Sequence, residues 1–216
     1  MLLRCQALTM GARALVYAAV AAGEAGEQAR MDLLTPLAKA WSTDIGSEVA
    51  SLAIQVHGGM GFIEETGVAR FYRDVRIAAI YEGTNGIQAA DLVNRKLGLN
   101  GGAEIAALLT EVRADAAGHA GLLALVAEIE ALIADYAALP VDDRLAGSVA
   151  LLEMLAVAVA GGLMARQARA VANHPDQEFR AIKQAAARYF LDVLVAEARG
   201  LDSAARMGAD MLYAGW

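Results

Sequence analysis

The chain is poor in the residues that cross-link, interrupt or chelate. Its 216 residues include one cysteine, Cys5, and three prolines, and aromatic side chains make up only 6% of the total. A lone cysteine excludes an intrachain disulfide and a cysteine-rich metal centre. The three histidines, His57, His119 and His174, are far apart and show no ligand spacing, so no metal site is expected. Scarce proline leaves long segments without a break. Alternating runs of Val, Ile and Thr are nearly absent, which argues against strands. With 18 basic and 25 acidic side chains the formal charge is −7, and no basic stripe carries interleaved aromatics. Nucleic acid is therefore not an expected partner. No leader with a small-residue cleavage site opens the chain, because Arg4 and Arg13 interrupt the apolar start, and a cytoplasmic location is expected.

What is abundant is alanine and leucine, the strongest apolar helix formers, within a composition that is 57% hydrophobic. The fold class expected is all-α. Met1 to Ala22 reads as helix from its first residue with no capping side chain ahead of it, the pattern of a helix that starts partway. Gly23 and Gly26 mark a turn. A second helix is expected from about Gln28 to Val56, either beginning near Thr35 or bending at Pro36. Gly58-Gly59-Met60-Gly61 stops it. A short helix over Val68 to Arg76, a loop at Tyr81 to Thr84 and a helix from Asn85 to Leu97 follow.

Gly98-Leu99-Asn100-Gly101-Gly102 holds three glycines in five residues and is the clearest boundary. It divides the chain into helical units at residues 1–100 and 101–216. The second unit shows helical patterns over Ala103–Ala117, Gly121–Ala138, Asp142–Ala172, Gln177–Arg199 and Asp202–Leu212, with Asp142 or Asp143 available as a cap for the third. Leu145 to Ala165 has the length of a membrane span. Its charged flanks continue the same helix, however, and a helix apolar nearly all round also suits the centre of a bundle. The buried reading is the one expected, with no membrane span.

Three features fall between Gln55 and Gln88. In Gln55-Val56-His57-Gly58-Gly59-Met60-Gly61-Phe62 a helix ends in glycines, which serve either as a C-cap turn or as an open turn offering amide donors. Arg73-Asp74-Val75-Arg76 reads as a solvated or interhelical ion pair. In Ile80-Tyr81-Glu82-Gly83-Thr84-Asn85-Gly86 a glutamate sits among apolar residues ahead of a helix start. Two readings stand side by side here. Glu82 complements the helix dipole with Thr84 as N-cap, or it is a carboxylate held in apolar surroundings that make it a stronger base.

The run QVHGGMGFIEETGVARFYRDVRIAAIYEGTNGIQ resembles the C-terminal signature of the acyl-CoA dehydrogenases in all three places and in order. The resemblance covers about residues 1–97; the helices from 103 onward resemble the extension of the longer bacterial members. It implies an up-and-down helical bundle followed by a second helical bundle. It also implies that Glu82 is the base that takes the α-proton of an acyl-CoA thioester while a hydride leaves the β-carbon for FAD. Tyr81, Glu82 and Gly83 would lie against the substrate. Thr84, Asn85 and Gly86 match positions that touch FAD. Gln55, Val56, His57, Gly58 and Gly59 match a segment that contacts FAD held mainly by a neighbouring subunit, so a homodimer or larger assembly is implied. Arg95 lies one residue from a CoA-contacting arginine of the family. Electron-transfer flavoprotein would be the acceptor.

Members of the family also carry an N-terminal helical domain and a middle β domain that bind most of the flavin and CoA. Neither falls within these residues, so the chain by itself is expected to show little or no dehydrogenase activity. The alternatives are an acyl-CoA oxidase, and a non-catalytic helical module that serves assembly or partner binding through residues 103–212.

Overall fold

The computed structural model describes residues 1–215, and among these every regular element is helical. Two long antiparallel helices open the chain, α1 (Leu2–Glu24) and α2 (Gln28–His57), joined by a turn at Gly26 with φ of 75°. They pack along their lengths through Leu8, Leu15, Leu33, Leu37 and Trp41, all buried. Short pieces follow: α3 (Gly59–Phe62), a 3-10 turn, α4 (Val68–Val75), a second 3-10 turn at Arg76–Ala79, and α5 (Asn85–Asn94). Beyond the Gly98–Gly102 link lie α6 (Ala103–Asp115), α7 (Ala120–Tyr136), α8 (Val141–Ala170), α9 (Gln177–Tyr189), α10 (Val195–Arg199), α11 (Asp202–Ala205) and α12 (Ala209–Tyr213).

Helix α8 runs through the centre. It packs on α1, α2 and α5 from the first part of the chain and on α6, α7 and α9 from the second. One hydrophobic cluster takes side chains from both parts. The helix is long and apolar enough to cross a membrane, and 78% of its apolar window is buried inside the bundle. Its all-round apolarity is thus used up by protein neighbours. Helix α1 passes the same length and composition test with 33% of its window buried.

The structure corrects several boundaries. Helix α2 does not begin near Thr35: it runs from Gln28 as the longer expected span did, with Pro36 buried inside it. Burial of Leu33, Leu34, Leu37, Ala40 and Trp41 around it outweighs the roughly 3 kcal/mol that proline costs inside a helix. The Thr35 hydroxyl donates to the Met31 carbonyl at 2.7 Å in the same turn. Gly58 breaks α2 with φ of 59°, yet the glycines after it form one helical turn rather than a plain loop. Helix α5 ends at Asn94, where Arg95 leaves helical geometry. Neither Asp142 nor Asp143 caps α8, whose N-cap position is Pro140; Asp143 instead accepts the backbone N–H of Ala209 at 2.8 Å, at the start of α12. The span expected as one helix over 202–212 is two short ones. The span over 177–199 stays helical but contains a π turn at Phe190–Leu194. Phe190, fully buried, meets the edge of Trp41 with ring centroids 6.1 Å apart. It lies so close to Gly11 that a Cβ there would stand 2.4 Å from its ring, which is why α1 carries a glycine at a helical position.

Candidate active-site turn and its comparisons

The 3-10 turn at Arg76–Ala79 delivers the chain to Tyr81, and α5 begins at Asn85. Thr84 is the N-cap of α5: its hydroxyl accepts the N–H of Ile87 at 3.3 Å. Between the two elements Glu82 and Gly83 are successive left-handed residues, with φ of 56° and 84°. For Gly83 this conformation is free of strain, whereas for a residue with a Cβ it costs about 1–2 kcal/mol. Glu82 is one of two non-glycine residues with positive φ among the described residues. It stands at the tip of an exposed turn.

Asn85 anchors this turn to α2. Its carboxamide nitrogen lies 3.1 Å from the Ala40 carbonyl, 2.9 Å from the Thr43 hydroxyl and 2.8 Å from an Asp44 carboxylate oxygen, all acceptors. Its carboxamide oxygen accepts from Lys39 Nζ at 2.9 Å. The same ammonium donates to the Gly83 carbonyl at 2.6 Å. Gln88 Nε2 reaches the Glu82 carbonyl at 3.4 Å. The Asp44 carboxyl is pushed above the usual carboxylate range by desolvation, against the opposing pull of Asn85, Arg76 and Lys39.

The expected apolar enclosure of Glu82 is not supplied by these residues. Tyr81 is 51% exposed, Ile80 56% and Ile87 60%. A short surface turn leaves its apolar side chains exposed, with no second layer among the described residues to cover them. Met60, Phe62, Phe71 and Ile77 are also exposed.

The Gln55–Gly59 segment is elsewhere. Asn85 packs against the middle of α2, near Thr43, whereas Gly58 follows the end of α2. At 1.5 Å per helical residue the separation along the axis is about 20 Å. One copy of the chain therefore does not bring the two groups together. Gln55, Val56, His57, Gly58 and Gly59 are all exposed, and the His57 ring Nδ1 lies 2.8 Å from the Ala53 carbonyl. A Cβ at Gly58 or Gly59 would meet nothing within 4 Å, so the turn is open.

These residues fit a polar group approaching from outside the chain. At the other patch Thr84 and Gly86 are exposed but Asn85 is not free: every polar atom of its side chain is engaged by α2. Arg95 is exposed and held by both carboxylate oxygens of Asp91 at 2.7 and 3.0 Å. Arg73 faces Glu64 and Arg70 faces Asp74 in exposed pairs, as solvated charges do.

Lys39, Thr43, Asp44 and Gln88 were not legible as site residues. No motif marks them, and Lys39 lies 44 residues before the carbonyl it holds.

Residues 1–97 match the family model described as acyl-CoA dehydrogenase, C-terminal domain, and residues 102–214 match one described as acetyl-CoA dehydrogenase C-terminal like. The 3-methylmercaptopropionyl-CoA dehydrogenase of Ruegeria pomeroyi is 52% identical over 115 residues, covering 47% of this chain and 19% of that protein. A probable acyl-CoA dehydrogenase of Mycobacterium leprae is 44% identical over 77 residues, 36% of this chain and 20% of that protein. The caffeyl-CoA reductase–Etf complex subunit CarC of Acetobacterium woodii is 39% identical over 77 residues, with the same shares. The matched stretches thus span about a fifth of these relatives.

Among solved structures, an acyl-CoA dehydrogenase complexed with FAD from Bacillus anthracis superposes with a TM-score of 0.74 at 19% identity, over 98% of this chain and 43% of that one. Caenorhabditis elegans ACDH-11 in complex with C11-CoA gives 0.69 at 18% identity, over 95% and 37%. At such identities these two likenesses speak for the fold. The two family models, which between them account for nearly the whole sequence, show that the chain belongs to the acyl-CoA dehydrogenase family, as its C-terminal helical part.

Proposed function

We propose that this chain is the C-terminal part of a flavin-dependent acyl-CoA dehydrogenase in which Glu82 removes the α-proton of an acyl-CoA thioester. The observation that carries the reading is the placement of Glu82: a carboxylate at the tip of a left-handed turn, presented outward and anchored through Asn85 to α2. The α C–H bond breaks and its proton goes to a Glu82 carboxylate oxygen. The electron pair left behind forms the Cα=Cβ bond as the β C–H bond breaks. FAD, when bound, supplies the acceptor for the β-hydride. The thioester carbonyl acidifies the α-proton, and donors aimed at that carbonyl oxygen stabilise the enolate-like charge.

Gln55, Val56, His57, Gly58 and Gly59 would contact the cofactor in a neighbouring copy, in keeping with the distance between their turn and Glu82. Thr84 and Gly86 would contact it on the Glu82 side. Asn85, given its bonds, would act by holding the turn. Tyr81 and Gly83 would line the acyl-CoA path, and Arg95 would reach CoA only by leaving Asp91. Electron-transfer flavoprotein is the acceptor we favour, supported by the Etf-complex relative.

The exposure of Glu82 supports a further point. The Glu82 turn is open to water, and the exposed apolar side chains beside it, Ile80, Tyr81 and Ile87, need a cover. Other domains of a longer polypeptide and a second copy would provide it. The chain alone is then expected to turn over no acyl-CoA.

The test is anaerobic flavin bleaching by a panel of acyl-CoAs, using this chain joined to the N-terminal and middle domains of a relative. Bleaching by at least one thioester is expected. Bound flavin that no acyl-CoA reduces would contradict the dehydrogenase reading, and reduction of free FAD by the chain alone would contradict the need for a cover.

A further inference from the structure

Resting on the reading of Glu82 as the base, we infer that Lys39 is a positioning residue that holds the Glu82 turn in its working conformation. The turn needs such a holder. Glu82 and Gly83 are both left-handed, a conformation that a residue with a Cβ seldom keeps unaided. Backbone bonds give little help at this point. Tyr81 N–H is tied back to the Ile77 carbonyl and Gln88 N–H to the Thr84 carbonyl, so backbone support brackets the turn at its two ends. Inside it, the Glu82 carbonyl has the long contact from Gln88 and the Gly83 carbonyl has Lys39 at 2.6 Å. Among the described residues, Lys39 is the side chain from another helix that grips the turn's own backbone.

Its position suits that role. Lys39 is half-buried on α2, and its ammonium bridges the Gly83 carbonyl and the Asn85 carboxamide oxygen, so one charge fixes both the turn and the first residue of α5. Hydrogen bonds from an ionised donor are about twice as strong as neutral ones. A planar trans peptide points its C=O and N–H in opposite directions. With the Gly83 carbonyl drawn toward α2, the Thr84 N–H is turned away from it, and the peptide plane between Gly83 and Thr84, one residue beyond Glu82, is set. Losing the ammonium frees that plane and with it the direction of the Glu82 carboxylate.

The test starts with the 216-residue chain itself, by 15N relaxation of backbone amides. In wild type the amides of Glu82, Gly83 and Thr84 are expected to be rigid, with order parameters of about 0.85; in Lys39→Met they fall below about 0.6 while the long helices keep their shifts. Lys39→Arg, which retains a charged donor, restores most of the order. Unchanged order in Lys39→Met overturns the inference. General unfolding of that variant overturns it too, by making Lys39 a determinant of the whole fold.

The second arm uses the joined flavoprotein. Lys39→Met slows acyl-CoA-dependent flavin reduction tenfold or more with thioester Kd within threefold of wild type, and Lys39→Arg recovers the rate to within threefold. Glu82→Gln serves as reference. A Glu82→Gln protein that still reduces flavin defeats the reading of the base, and leaves the turn-order result standing as structure only. An inactive Glu82→Gln beside a wild-type rate in Lys39→Met defeats the Lys39 inference alone.

Discussion

The Asn85 carboxamide donates to the Asp44 carboxylate at 2.8 Å, and this contact pins the start of α5 to the middle of α2. The bond sets the approach of the segment that carries Glu82.

Replacing Asn85 by alanine removes that bond and those to Ala40, Thr43 and Lys39. Water reaches Asp44 and Lys39 and recovers part of the loss, so the cost is about 1–2 kcal/mol, with the unfolding midpoint in urea as the measure. A variant as stable as wild type would mean that the network is incidental.

Gly147 of α8 has no room for a side chain. A Cβ there would stand 2.1 Å from the Ala205 carbonyl oxygen and 2.2 Å from the Tyr136 hydroxyl. Those two groups are themselves hydrogen-bonded at 2.7 Å in a buried site. Gly147→Ala is expected to destabilise by about 1–3 kcal/mol through overpacking. Tyr136→Phe, which only removes the donor, should cost about 1–2 kcal/mol. Equal stability of Gly147→Ala and wild type would contradict the packing described.

Burial also pushes the Tyr136 phenol up to about 12. The unfolded chain holds that proton only to about pH 10, so the folded state binds it more tightly. The contribution is complete below pH 10 and is lost as pH rises toward 12. Thermal midpoints of wild type should fall more steeply than those of Tyr136→Phe across that window; parallel curves would refute the assignment.

Glu153 lies on α8 in a cleft with Asp44 and Glu48, near Glu197. Desolvation first, then the three like charges, raise its carboxyl above the ordinary range. The folded state therefore holds this proton more tightly than the unfolded chain, and the benefit is full in acid and lost as pH rises through the folded value. Glu153→Gln should be more stable than wild type at pH 7, with the advantage vanishing as pH falls below about 4. A less stable variant at neutral pH would show that the glutamate makes a favourable contact instead.

Much of this architecture was legible in the residues. Helix α8 announces itself because a segment apolar on all sides has to be surrounded, and Thr84 marks the start of α5 because a hydroxyl ahead of a periodic run satisfies a free N–H. Glu82 was legible only through the order of the motifs around it. Of the two readings of Pro36, the start near Thr35 fails because local propensity ignores the packing of Leu33, Leu37 and Trp41, while the expected span from Gln28 holds. Asp143 misled because its partner, Ala209, is distant in the chain. Lys39 could not be found by spacing at all: its role depends on the contact between α2 and the turn, and nothing local to either segment encodes that contact.

Glu82 is the centre of the proposed chemistry, and the most direct measurement is the rate of anaerobic flavin reduction by an acyl-CoA in the joined protein, wild type against Glu82→Gln. Glutamine keeps the size and loses the base. Flavin binding and thioester affinity are expected to survive while the rate falls by at least about a thousandfold, the upper part of what general acid–base groups contribute, about 10²–10⁴. A Glu82→Gln protein that reduces flavin at the wild-type rate would contradict the proposed chemistry.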